Sequence, residues 1–412
     1  MTLAALTRDR VRRTFRLSGQ SGAFQRPLMR LGAIAAATLL AACQPLSEGG
    51  AARGPQVGPT IDPSQPVQVA LLVPGGTGDA ELERISRSIT NSAKMAAADA
   101  QGARIDLRVY ETGSDAGVAA AKAKQAVAEG AKIIVGPLHA DAANAAGSAV
   151  AGQVNVLSFS NNPEIAGGNV FVLGNTFANV ADRLVNYGVR QGKRRVLVVA
   201  EDDISGQIGA RAIESAISRN RATLAGKATH PVSQTGIDAI IPQVAAIAKA
   251  RQADAIFMTA NHPEVLPFLT TGLNKAGVSS ADAQFMGLTR WDLPATRLQL
   301  PGVQGGWFAV PDLARQQAFA QRYRQTYGEQ PHQLASMGYD AVSAVASLVR
   351  AGRANAVTTA GLTTGAGFAG VDGAFRLRPD GTNQRALSIA TIQNQRVVII
   401  DAAPNSFRGT GF

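Results

Sequence analysis

Residues 131–174 read AKIIVGPLHADAANAAGSAVAGQVNVLSFSNNPEIAGGNVFVLG. Three short apolar runs stand in this stretch, at 132–135, 155–159 and 170–173. Each is rich in β-branched or aromatic residues, too short for a helix, and bounded by Gly, Pro or Asn, the pattern of a buried strand. The Ala-rich segment 141–151 between the first two predicts a crossover helix. The unit is then βαβ, with parallel strands and a right-handed connection. In such sheets ligands gather in the crevice beyond the C-terminal strand ends. The loops there are 136–141 (GPLHAD) and 160–164 (SNNPE), both polar, and the first runs straight into a helix N-terminus.

Working outward, 67–73 (VQVALLV) and 105–110 predict strands, with helices over 79–100 and 117–129. This is half of a doubly wound sheet. Beyond residue 174 the pattern repeats. A helix over 177–191 precedes strands at 195–200, 223–228, 255–258, 284–287 and 306–310, with helices centred on Arg211, Ala245 and Leu269. His262-Pro263-Glu264 reads as a helix opening with Pro263 in its first turn. Two helices, 313–327 and 334–351, are punctuated by Gly328 and Pro331. Strands at 374–377, 386–393 and 396–400 close the chain. The expected class is α/β, two doubly wound lobes in series with a cleft between them.

The residues needed for common chemistries are missing or misplaced. Gly76 and Gly78 follow the first strand as the first two glycines of a dinucleotide fingerprint would, but the third position is Glu81, a charge set against phosphate. The full G-x-G-x-x-G at Gly365, Gly367 and Gly370 follows no strand, so its context fails. No P-loop, H-E-x-x-H or G-x-S-x-G occurs. The four histidines are isolated, without helical metal-ligand spacing. These features predict a non-enzyme with no catalytic residue, no metal and no cofactor.

The formal charge of +11 over 412 residues needs locating before it is interpreted. Residues 1–42 carry seven Arg and one Asp, leaving 33 basic and 28 acidic residues beyond them. A surface so mildly basic, with no basic run interleaved with aromatics, excludes nucleic acid as the expected partner. Residues 31–42 (LGAIAAATLLAA) form an apolar run too short to span a bilayer but suited to a signal-peptide core. The sole cysteine, Cys43, follows at once. Met29-Arg30 would suffice as the basic leader, so translation starting at Met29 is an alternative to Met1. Residues 43–65, rich in Gly and Pro, predict a disordered tether.

Two resemblances follow from these residues. Leu40-Ala41-Ala42-Cys43 resembles the bacterial lipobox, which implies lipidation of Cys43 and a membrane anchor. Gln44 after the cysteine, where inner-membrane lipoproteins often carry Asp, implies the outer membrane facing the periplasm. VALLVPGG, AKIIVGPL, NVLSFSNNPEIAGG, VFVLGNT and MGYDAVSAVASLV together resemble the type I periplasmic binding proteins of the leucine-binding-protein group, over residues 66–400. That resemblance implies three crossovers, with lobe 1 at 66–175 plus 311–363, lobe 2 at 176–310 plus 364–402, and a tail at 403–412. It implies a ligand or partner cleft at His139, Ala140, Asp141, Ser160, Asn161 and Asn162, faced by Asn261, Arg290 and Trp291. Amino-acid binders of the group usually carry serines, a small-residue–threonine pair, and aromatic and acidic clamps there; this chain does not. A lipoprotein of this fold with such a cleft resembles the penicillin-binding protein activators, which implies a class A peptidoglycan synthase as partner. The enterobacterial activators carry an added helical-repeat domain, where this chain has only a tether. The alternative implied is the receptor of an amino-acid ABC importer, with a small-molecule ligand in the cleft.

Overall fold

The computed structural model describes residues 58–262 and 264–407. The first sheet is built around β1 (Val67–Val73), seven residues buried without a break. Alternation explains why both faces are apolar: Val69, Leu71 and Val73 enter one core, Ala70 and Leu72 the other. β2 (Ile105–Glu111), β3 (Ile133–Val135), β4 (Asn155–Ser158) and β5 (Val170–Val172) join it, all parallel, in the order β2-β1-β3-β4-β5. On one face α1 (Ala80–Asp99) packs Ile85, Ile89, Ala93 and Ala96. On the other, α2 (Ala116–Ala128) and α3 (Ala140–Ala149) bury mainly alanines, with Val127 packed at the margin.

The second sheet runs β14-β13-β10-β9-β8-β6-β7. Its parallel part is β6 (Arg195–Glu201), β7 (Thr223–His230), β8 (Ala255–Met258), β9 (Gln284–Gly287) and β10 (Trp307–Val310). β13 (Ser388–Gln393) and β14 (Arg396–Asp401) add antiparallel. α4 (Phe177–Arg190) and α5 (Ile204–Arg219) cover one face, α6 (Gln234–Ala250) and α7 (Val265–Lys275) the other. α8 (Leu313–Tyr327) and α9 (Ala335–Arg350) return to the first lobe. There Met337, Ala341, Val342 and Val345 of α9 share a core with α1, and the Tyr327 hydroxyl donates to the Asn91 carbonyl at 2.8 Å. The fold is thus α/β with one parallel and one mixed sheet.

Two expectations are corrected. Residues 58–65, assigned to the tether, are anchored through Ile61: it is buried in the first-lobe core and its N–H donates to the Ala354 carbonyl, while Thr60, Asp62, Ser64 and Gln65 stay exposed. A single large apolar side chain among Gly and Pro suffices to dock that end. The hairpin of β11 (Phe375–Leu377) and β12 (Asn383–Arg385), assigned to the second lobe, places Phe375 and Leu377 in the first-lobe core. The leader, Cys43, residues 43–57 and 408–412, and Pro263 lie outside the described residues. No helix among the described residues is long and apolar enough to cross a membrane.

Candidate ligand or partner cleft

The loop after β4 is shaped by its own side chains. The Ser160 N–H donates to the Ser158 hydroxyl, the Asn162 N–H to the Ser160 hydroxyl at 3.1 Å, and the Glu164 N–H to Asn162 Oδ1 at 2.9 Å. Ser160 is buried, Asn162 half-buried and Asn161 exposed. Asn162 thereby caps the short turn Pro163–Ile165. Facing this loop is the N-terminal half of α5. Its cap is Asp203, whose carboxylate accepts from the Gly206 N–H at 2.6 Å.

Between them lies an open groove of about 820 Å³. Asn161, Asn162 and Glu164 form one wall, Phe177 and Ala178 the floor at the start of α4, and α5 the other wall. That second wall carries Asp203, Arg211 and Arg219 as charges and Ile204 and Ile208 as apolar groups. Ile204 is 79% exposed. Both charge signs and an apolar side chain free to water therefore meet in one groove.

Glu201, at the end of β6, is fully buried and organises the neighbouring loop. Its carboxylate accepts from the backbone N–H of Asn261 at 2.8 Å and of His262 at 3.0 Å. His262 Nδ1 lies 3.2 Å from the same carboxylate, and Nε2 3.8 Å from Asp203. The hydrogen bond to Glu201 first, then the charges of Asp203 and Glu264, push the imidazole above its ordinary value against a smaller effect of burial. Sequence reasoning passed over Glu201 and Asp203 and read His262 only as part of a helix opening. The signal was there: 201–203 also leaves the C-terminal end of a parallel strand.

The nine cleft residues expected from the sequence are only partly brought together. Asn161 and Asn162 line the groove, and Ser160 supports Asn162 from beneath. His139, exposed at the N-cap of α3 without a side-chain cap bond, Ala140 and the exposed Asp141 do not border it. Asn261 lies beside Glu201, and neither its Oδ1 nor its Nδ2 has a partner among the described residues. Arg290 donates through Nε and Nη2 to the two oxygens of Asp292 at 2.6 and 2.5 Å. Its fork is occupied. Trp291 is corrected outright: it is fully buried in the second-lobe core against Phe308, because glycines at 287 and 306 leave room for a flat indole. It offers nothing to a ligand.

The glycine loop after β1 has an occupant of its own. Backbone N–H groups of Gly76, Thr77 and Gly78 converge on one oxygen of Glu83 at 2.8, 3.0 and 3.2 Å. Those bonds hold the carboxyl below its usual range. An anion cradle filled by the chain's own carboxylate has no place for a phosphate. Glu83, rather than Glu81, supplies the charge; Glu81 instead pairs with Arg84. Among the described residues no group of three or more His, Cys, Asp and Glu could hold a metal ion.

The periplasmic binding protein family matches residues 66–396. No curated protein matches the chain in sequence. Solved structures share the fold at low identity. A branched-chain amino acid ABC transporter protein from Rhodospirillum rubrum is 19% identical, with a TM-score of 0.68, covering 82% of this chain and 100% of its own. An ABC transporter substrate-binding protein from Desulfitobacterium hafniense in complex with Leu is 19% identical, TM-score 0.57, covering 82% and 100%. A solute-binding protein from R. palustris in complex with benzoate is 15% identical, TM-score 0.51, covering 84% and 99%. Members of the matched family are substrate-binding proteins of the periplasm, generally without enzymatic activity. The match spans both sheets and the returning helices, so this chain belongs to the type I, leucine-binding-protein-like branch of the periplasmic binding proteins.

Proposed function

We propose that the chain is a non-catalytic, lipid-anchored periplasmic module whose interlobe groove takes an extended segment of a protein partner, a class A peptidoglycan synthase. The observation that carries this is the groove itself: about 820 Å³, open, with exposed Ile204 beside Asp203, Arg211 and Glu164. Such a mixed lining suits a peptide segment, where a few apolar anchors and a polar rim share the work. The residues in the positions of an amino-acid clamp are otherwise engaged, Arg290 by Asp292 and Trp291 by the core. The choice of synthase rests on the resemblance to the penicillin-binding protein activators. Residues 66–175 plus 311–363 and residues 176–310 plus 364–402 are proposed to act as the two lobes about this groove, with the β11–β12 hairpin moved to the first as described. Stimulation of glycan polymerisation by the purified chain (residues 44–412) acting on the synthase of the same organism is the expected result. Ile204→Asp with Arg211→Glu should weaken it at least tenfold without lowering melting temperature, since both side chains are exposed. No binding and no rate change at tens of micromolar overturns this reading.

A second reading, receptor of an amino-acid importer, is favoured by the likeness to the leucine complex from Desulfitobacterium hafniense. It requires saturable binding of a free amino acid. At about 100 dissociation constants a ligand stabilises by roughly 2.7 kcal/mol, a rise of several degrees in melting temperature. Leucine, isoleucine and valine are each expected to leave the melting temperature unchanged; a clear rise with any of them would favour the importer.

A further inference from the structure

A second cavity, of about 210 Å³, lies where the β11–β12 hairpin meets α4 and α5, and five arginines line it: Arg183, Arg219, Arg376, Arg378 and Arg385. One acid, Asp182, stands among the lining residues, and Arg219 holds it at 2.8 Å. Arg183 is matched by Asp401 at 2.8 Å and by the carbonyl of Leu387. That leaves three. Arg376 donates to the neutral Gln384 at 2.9 Å and lies over the Phe407 ring, with no carboxylate in ion-pair range among the described residues. Arg378 has no side-chain partner among the described residues, and its charge together with burial holds the Arg376 guanidinium below its ordinary value, burial being the larger cause.

Arg385 is the sharpest case. Its side chain is 3% exposed, Nε donates to the Leu173 carbonyl at 2.9 Å, and Nη2 is buried with no partner. Its one carboxylate, Asp340, stands at 3.5 Å, and burial pushes that carboxyl up to about 7, so near neutrality it is only part of a counter-charge. A buried guanidinium N–H without an acceptor costs the desolvation of a charged donor, a cost that a ligand oxygen would remove. Hairpin, α4 and α5 thus converge two uncompensated guanidinium groups and one under-compensated one on a space of small-molecule size.

We propose that this cavity binds a multiply charged phosphate-type oxyanion, a phosphomonoester or diphosphate group held between Arg376, Arg378 and Arg385. A carboxylate would bring one negative charge to an excess of two or more. A phosphate group brings about two and offers several acceptor oxygens to the planar forks of arginine. The site is separate from the proposed partner groove, sharing with it only Arg219, at the C-terminal end of α5. Free phosphate compounds and phosphorylated headgroups supply the same chemistry, and the test separates them.

The experiment measures binding of sodium phosphate and sodium pyrophosphate to the purified full chain by calorimetry and thermal shift, against sodium chloride at matched ionic strength. A parallel arm uses the full chain with Cys43→Ser, so that no lipid of its own intervenes, and vesicles of phosphatidylcholine with and without phosphatidic acid. Pyrophosphate is expected to bind more tightly than phosphate, to raise the melting temperature, and to lose at least tenfold in affinity in Arg376→Gln with Arg378→Gln. Arg378→Glu alone, at a position with no partner to lose, should weaken binding similarly without lowering the unliganded melting temperature, since it removes the charge that opposes Arg376. Binding confined to phosphatidic acid vesicles and abolished by the same substitutions also supports the site and identifies a headgroup as its source. No binding beyond that of chloride in either arm, or binding that both variants retain in full, overturns the proposal.

Discussion

The indole of Trp291 lies flat against the backbone of Gly287, so closely that a methyl group at that glycine would overlap Nε1. On its other side the ring meets Gly306 in the same way. The two glycines and the tryptophan are one packing unit inside the second lobe, where Phe308 stacks at 6.4 Å between centroids. Removing a fully buried Trp costs about 3–5 kcal/mol, from lost burial plus the cavity left behind. Trp291→Ala is therefore expected to lower the unfolding free energy by that amount, read as a lower denaturant midpoint, and Gly287→Ala to destabilise by overpacking. Arg290→Ala leaves the buried Asp292 carboxylate without its guanidinium and is expected to destabilise as well, an effect that Asp292→Asn in the same chain should reduce. Equal stability of Trp291→Ala and wild type in urea unfolding would place the indole elsewhere than in this core.

The buried carboxylate of Glu201 and the half-exposed ring of His262 form a charge-assisted pair at the edge of the cleft. Since the pair favours the charged imidazole, the His262 midpoint should lie above the ordinary histidine value of about 6.5. The sign follows: a raised folded value adds stability below the unfolded pKa, and that stability is lost as pH rises through the folded one. In Glu201→Gln the hydrogen-bond acceptor remains but the charge is gone, and the NMR titration of His262 should move down. A His262 midpoint that does not respond to Glu201→Gln would remove the pair from the account.

How much of this was legible in the sequence differs by kind of signal. Strands such as Val67–Val73 and helices such as Leu313–Tyr327 were readable because an unbroken β-branched run or a capped periodic run declares itself locally. The cleft was half readable. The loop after β4 announced itself through Ser160, Asn161 and Asn162, but whether a polar side chain faces solvent or its own backbone depends on the turn it makes. Trp291 was not readable as core, because its burial depends on glycines four residues before it and fifteen after. Ile61 and the β11–β12 hairpin were misassigned for a related reason: which lobe an element packs on is a long-range property. The arginine cavity, gathered from α4, α5, β11 and β12, leaves no local trace at all.

The lipobox reading makes a prediction about the leader. If Cys43 carries lipid, Cys43→Ser should leave an unprocessed or soluble form, and wild type should fractionate with membranes, the outer membrane in particular. Membrane fractionation and processing of Cys43→Ser like wild type would exclude an anchor at this cysteine. Ile61 is docked on the body, so any tether to that lipid must end before it.

Asp340 gives the fold an expected pH dependence. Its carboxyl is fully buried on α9, accepts from the Val371 N–H at 2.7 Å and stands 3.5 Å from Arg385. Burial is the largest influence and pushes it from 3.8 up to about 7, with repulsion from Asp372 adding and the Arg385 charge opposing. The folded state therefore holds a proton that the unfolded chain releases near pH 4. Stability from this group is complete below about pH 4 and is lost as pH rises through about 7. Other carboxylates of the protein, such as Glu83 and Asp99, are held below their usual range and have the opposite dependence. The measurement must therefore be a difference. Asp340→Asn keeps an oxygen for the Val371 N–H and cannot titrate. The melting temperature of wild type relative to Asp340→Asn should be highest near pH 4–5 and fall steadily toward pH 8, a change of at most about 4 kcal/mol at about 1.4 kcal/mol per pH unit. A difference that stays flat, or that grows with pH, would mean that Asp340 is ionised in the fold and fully paired with Arg385.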